Sequence, residues 1–191
     1  MKMAFIGAPV LFIAYGIVRW MDGVDGEYGP GLAWTVGHLL FLTGFLLFAV
    51  VLIAMHQMVS RPRVIASIAL LVALVGVLAF IRVIVIDLLV GFRASDHDTM
   101  SEVGDTYDRW PGDLSVYDSL YSVGPIFFLV GLLTLTIFLV RLHRMPIWSP
   151  VVLALGFAAI IASLSLMPLG GAFLLAALFP LQGSSRIFQP L

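Results

Sequence analysis

Apolar positions in this chain follow neither the two-residue period of a half-buried strand nor the 3.6-residue stripe of a surface helix. They come in long uninterrupted runs. A hydrocarbon core about 30 Å thick is crossed by about 20 apolar residues of helix. Five segments meet or approach that length, at residues 3–19, 34–58, 64–92, 123–142 and 147–167. A sixth apolar run, 169–181, has 13 residues, about 20 Å of helix. Between the last two stands Met167-Pro168-Leu169-Gly170-Gly171, whose proline and paired glycines predict a tight hairpin. A helix running on through Pro168 would reach about 50 Å, too long for one crossing. The expected architecture is a single all-α integral membrane domain, residues 1–191, forming a polytopic transmembrane bundle of six helices with the last one short. Five helices followed by a re-entrant or interfacial segment is the alternative.

Prolines punctuate this pattern. Pro62, Pro125, Pro146 and Pro150 each fall within a few residues of a predicted helix start, where a missing N–H costs least. Pro9 lies inside the first segment and predicts a kink or a late start. Lys2 before an apolar stretch has the outline of a secretory signal. No small-residue cleavage site follows, since Arg19, Trp20, Met21 and Asp22 come next, and the segment is expected to remain as a helix.

Composition agrees with the runs. Of 191 residues, 61% are hydrophobic and 11% charged, against about 25% charged in a soluble domain. The net charge of −1 conceals a segregation. Arg61 and Arg63 join the second and third segments, and Arg141, His143 and Arg144 the fourth and fifth, with no carboxylate in either loop. The positive-inside rule places both loops in the cytosol of a cell-membrane protein. Lys2 is then cytosolic too, and Arg186 if there are six helices, which puts both termini inside. All 11 carboxylates fall to the other side: Asp22, Asp25 and Glu27; Asp87; and Asp96, Asp98, Glu102, Asp105, Asp108, Asp113 and Asp118. Trp20, Trp34, Trp110, Tyr28, Tyr107, Tyr117 and Tyr121 gather near that outer interface, and Trp148 near the inner one, as amphipathic rings prefer.

Small residues mark close helix approach. Ala69 and Ala73, and Ala154, Ala158 and Ala162, repeat every four residues. Internal packing accounts for such stripes, and a homodimer seam is the alternative. No internal repeat supports an inverted-repeat transporter.

Candidate chemistry is sparse. The absence of cysteine excludes disulfides, thiolate nucleophiles and cysteine-ligated metals. Zincin, serine-hydrolase and phosphate-loop signatures are lacking, and no basic tract suits nucleic acid. Ser163 and Ser165, on a predicted apolar helix, are explained by bonding to their own backbone. Arg82 and Asp87 stand out because ionisable groups in spanning segments are costly and often functional. If residue 64 marks the inner boundary, Arg82 lies about 27 Å higher, near the outer one. The two side chains point about 140° apart and do not pair on one helix face. One reading has Arg82 snorkelling and Asp87 solvated or capping a loop. The other is an outward-facing polar pocket of His38, Arg82 and Asp87, contacting a ligand or partner. His38 and His56 are about 27 Å apart on one helix and cannot share an iron. His56 and His143, at one level, are the only pair that would suit a haem b; no cofactor is otherwise predicted. The acidic outer loop, residues 93–120, lacks the glycine of a calcium loop and has Met100 at a ligand position. Its interleaved aromatics predict an ordered segment lying on the outer interface or on a partner.

The partners expected are the lipid bilayer and other membrane subunits, reached through small-residue helix faces and the acidic outer loop. The leading functional reading is a non-catalytic accessory or structural subunit of a larger membrane complex. The alternative is a small transporter or ion pathway using His38, Arg82 and Asp87, and a third is a haem-binding electron carrier.

Overall fold

The computed structural model describes residues 2–24, 28–107 and 115–183, with the backbone alone over 115–123. Its elements are α1 (Ala4–Asp22), α2 (Leu32–Met58), α3 (Arg63–Arg93), α4 (His97–Asp105), α5 (Ser115–Arg141), α6 (Ser149–Ala162) and α7 (Met167–Leu178). Single 3₁₀ turns, Leu164–Leu166 and Phe179–Leu181, bracket α7. Among the described residues there is no strand. Five helical stretches are long and apolar enough to cross a membrane: Ala4–Asp22, Leu32–Met58, Arg63–Arg93, Gly124–Arg141 and Leu164–Leu181.

The last two apolar segments exchange the lengths expected of them. The fifth yields a helix of 14 residues, about 21 Å. The segment expected to be short is part of an 18-residue helical stretch. The cause is the position of the break, which falls at Ser163 and not at residues 168–171. Ser163 is extended, at φ −164° and ψ 135°, and its hydroxyl accepts from the Ser165 N–H at 3.2 Å. That local bond competes with helix continuation. Pro168 stands in the first turn of α7, where its lack of an N–H is harmless. Gly170 and Gly171 lie inside α7 as packing residues. A Cβ on Gly170 would stand 2.8 Å from the Gly156 carbonyl of α6, and one on Gly171 3.0 Å from the Ile13 nitrogen of α1. Ser163 thus breaks the chain between α6 and α7, and Ser165 lies in the 3₁₀ turn that follows, not on a continuous apolar helix.

Pro125 also differs from expectation. The fourth segment begins at Ser115, eight residues earlier than its apolar run, so Pro125 is inside α5. Pro9 is inside α1.

Seen down their axes, the helices form a closed ring in the order α1, α2, α3, α5, α6, α7 and back to α1, with α2 also reaching α5 across the middle. The tightest crossing is α3 against α5. A Cβ on Gly76 would lie 2.6 Å from the Gly124 carbonyl, and one on Gly131 2.6 Å from the Ala73 Cβ. Ala69 and Ala73 are buried there, so their spacing serves internal packing. Ala154, Ala158 and Ala162 instead face outward from α6.

Aromatic rings fill the centre. Tyr15 and Phe12 of α1 meet Phe41, Phe45 and Phe48 of α2; Phe45 stacks on Phe80 of α3 at 4.3 Å; Phe128 of α5 joins Phe80 to Phe157 of α6. Such tilted and edge contacts contribute beyond the area they bury.

The acidic connection is ordered where it is described. Asp96 caps α4 in a reciprocal box with Thr99, accepting from the Thr99 N–H at 2.9 Å. Tyr107 is buried under the Arg93 guanidinium, 5.2 Å from the ring centre. The side chains of Asp25, Glu27, Asp108, Trp110, Asp113, Tyr117, Asp118, Tyr121 and Arg186 lie outside the described residues.

Candidate functional site

Polar groups converge at the bundle end that carries the C-terminus of α1, the N-terminus of α2 and the C-terminus of α3. His38, one turn past Trp34 on α2, is 5% exposed. Its Nδ1 lies 2.8 Å from the Trp34 carbonyl. A carbonyl only accepts, so Nδ1 carries the hydrogen and Nε2 is turned toward α3. There it stands 3.6 Å from Oδ2 of Asp87, within ion-pair range but longer than a hydrogen bond. Trp34 ties the same two helices by donating its indole N–H to the Asp87 backbone carbonyl at 2.9 Å. Its ring lies over the imidazole at 4.2 Å. Gly91 makes room for that indole, because a Cβ there would collide with Trp34 Cδ1 and Nε1.

α1 supplies the third wall. Tyr15 presents its ring edge-on to His38 at 5.8 Å and stacks on Phe41. The Arg19 guanidinium lies 4.0 Å over the Tyr28 ring, within the range where the π face attracts a cation. Tyr28 in turn accepts from His97 Nδ1 of α4 through its carbonyl, at 2.6 Å. Nε of Arg19 is buried and makes no hydrogen bond among the described residues. Tyr15, Arg19, Asp22, Ala33, Trp34, Gly37 and His38 line a cleft of ≈ 10 Å³, about the volume that one water needs. A larger solute does not fit this conformation.

Of the three residues singled out from the sequence, the structure brings His38 and Asp87 together. Arg82 is half-buried on α3 and is not among the residues lining the cleft. Trp34, Tyr15 and Arg19 belong to the cluster and were not legible as members. Their aromatic or interfacial character gave each an adequate reason of its own. The one available signal was Trp34–His38, a four-residue spacing that puts both rings on one helix face.

His56 and His143 sit apart from this cluster. His56 Nε2 is 3.0 Å from the Ser67 hydroxyl of α3. His143 is exposed in the α5–α6 turn with φ at 55°. Among the described residues no three His, Asp or Glu side chains are grouped to hold a metal ion.

The geometry therefore offers a small, mixed-charge, aromatic-walled cluster at one end of an apolar bundle. No protein-family model, no curated protein and no solved structure matches the chain.

Proposed function

We propose that this protein is a non-catalytic accessory or structural subunit of a larger complex in the cell membrane, crossing it six times with both termini in the cytosol. The observation that carries this reading is the packed centre of the bundle. Besides the tyrosines Tyr15 and Tyr107, only His38, Thr136 and Ser149 among the described residues are polar and buried, and Thr136 bonds its own backbone at Leu132. Ion pathways are lined with polar groups or carbonyls, whereas interlocked phenylalanines occupy the middle here. The six-crossing topology is supported by the Trp20 indole, which donates to the Ser165 carbonyl at 2.8 Å. That bond ties the α6–α7 turn to the far end of α1, as expected if α6 and α7 each traverse the layer. Affinity purification from the native membrane in mild detergent is the test. Stoichiometric co-purification of one membrane complex is the expected result; a protein that purifies alone and conducts ions in liposomes would overturn the proposal.

A second reading, a small transporter or ion pathway, draws support from the approach of His38 to Asp87. It requires a path past Phe41, Phe45 and Phe80. Loss of liposome flux on Asp87→Asn, with folding retained, would establish it.

A further inference from the structure

The opposite end of the bundle carries four arginines and, among the described residues, no carboxylate. Arg61 and Arg63 flank the α2–α3 turn; Arg141 and Arg144 flank the α5–α6 turn. In the α3–α5 crossing, Gly76 faces Gly124 and Gly131 faces Ala73. Continuing that antiparallel register brings residues 61–63 level with 139–141 on the neighbouring helix. The two turns therefore form one rim. His56 and Ser67 bond across the α2–α3 part of it.

All four guanidiniums belong to exposed residues, and none makes an ion pair among the described residues. The described carboxylates, Asp22, Asp87, Asp96, Asp98, Glu102 and Asp105, are all at the other end. Each turn also bounds a shallow, open depression. One cleft is lined by Ser60, Arg61, Pro62, Arg63 and Val64, the other by His143, Arg144, Met145, Pro146 and Ile147 with Val140. Immediately membrane-ward the surface is apolar and uncovered, with Val64 73% and Ile147 83% exposed and Ile65 and Ile68 continuing down α3. Guanidinium forks match phosphate oxygens in pairs, and an apolar wall directly below them suits an acyl chain.

We propose that this rim binds the phosphate of an anionic phospholipid, held between the α2–α3 and α5–α6 turns with its acyl chains along the Val64–Ile65–Ile68 face of α3. The source of the phosphate is a lipid and not a free anion, because Val64, which lines the depression at the α2–α3 turn, is also the first residue of that exposed apolar face. The positive-inside rule explains the sign of the rim but not its continuity with exposed hydrocarbon.

Native mass spectrometry of the full chain in neutral detergent tests this, since orientation set during insertion plays no part there. Phosphatidylglycerol and phosphatidylcholine of identical acyl chains are titrated in turn. Each basic side chain near an anionic surface contributes about fivefold in affinity. Arg61→Gln with Arg63→Gln, and separately Arg141→Gln with Arg144→Gln, should each lower the preference for phosphatidylglycerol by about 25-fold. Lys2→Gln, just before α1, which packs on α2 and α7 and takes no part in the α3–α5 crossing, should leave it unchanged. If one pair fails to fold, the other pair and single Arg61→Gln carry the test. Equal retention of the two lipids by the unmodified protein would overturn the proposal, as would an effect of Lys2→Gln equal to that of either pair. Displacement of the lipid by millimolar inorganic phosphate would make the rim a free-anion site and overturn the lipid assignment.

Discussion

His38 and Asp87 face one another across the α2–α3 interface at 3.6 Å, with the imidazole fixed by the Trp34 carbonyl and the Asp87 main chain fixed by the Trp34 indole. One tryptophan thus orients both members of the pair. A double-mutant cycle on His38→Gln and Asp87→Asn, followed by unfolding in detergent, should return a coupling of about 0.5–1 kcal/mol. The low end is expected because the Asp87 side chain is 37% exposed and solvent screens the pair. Arg82 projects about 140° from Asp87 around α3, so Arg82→Lys combined with Asp87→Asn should be additive. Coupling of Arg82 to Asp87 but not of His38 would refute this arrangement.

The α3–α5 crossing should be intolerant of a single methyl. Gly131→Ala drives its new Cβ into the Ala69 carbonyl and the Ala73 side chain, and overpacking of this kind costs about 1–3 kcal/mol. Ala158→Leu, on the outward face of α6, should change stability by less than about 0.5 kcal/mol. A stability loss or an altered oligomeric state with Ala158→Leu would point to a homodimer seam on that face.

Topology is open to direct labelling because the chain lacks cysteine. Ser60, Ser101 and Ser165 are all exposed. With an impermeant thiol reagent on oriented membranes, Ser101→Cys and Ser165→Cys should react from one side and Ser60→Cys from the other. Reaction of Ser165→Cys together with Ser60→Cys would mean that α6 and α7 do not traverse the membrane.

Acid should loosen α4 before the rest. Hydrogen bonds from the Thr99 backbone and side chain and from the Ser95 hydroxyl hold the Asp96 carboxyl below its usual range. A carboxyl depressed in the folded state stabilises it fully above its unfolded value, about 3.9, and loses that contribution as pH falls through the folded value. Amide exchange in residues 97–105 should therefore quicken, relative to α3, on acidification below about pH 4. Asp96→Ala should show the faster exchange already at neutral pH and remove the pH dependence. A pH response that survives Asp96→Ala would assign it to another carboxyl.

Much of the architecture was legible in the chain because the bilayer makes length and apolarity decisive. The first three spans begin and end within a few residues of the expected positions, where Arg19, Arg63 and Arg93 meet polar surroundings. The C-terminal turn was misplaced because Pro168 and the paired glycines carry two meanings. They signal a turn in isolation, yet proline is equally at home in the first turn of a helix, and glycine where another backbone must pass closely. Ser163, with a side chain able to replace a backbone acceptor, was the weaker signal and the operative one. At the candidate site one reading of the sequence already groups His38 with Asp87, but it adds Arg82, which does not line the cleft, and omits Trp34, Tyr15 and Arg19. Which face of α2 meets α3 depends on how Phe41 and Phe45 of one helix pack on Phe80 of the other. Such a register cannot be read from one helix at a time.

Phe128 touches the rings of Phe45, Phe48, Phe80 and Phe157, so it is a keystone where α2, α3, α5 and α6 meet. Interlocked rings do not slide past one another without first separating, and close-packed interiors transmit strain instead of absorbing it. A force applied by a neighbour to the outward face of α6 would therefore travel through Phe157 and Phe128 to α2 and on toward His38, displacing the protein as a single rigid wedge.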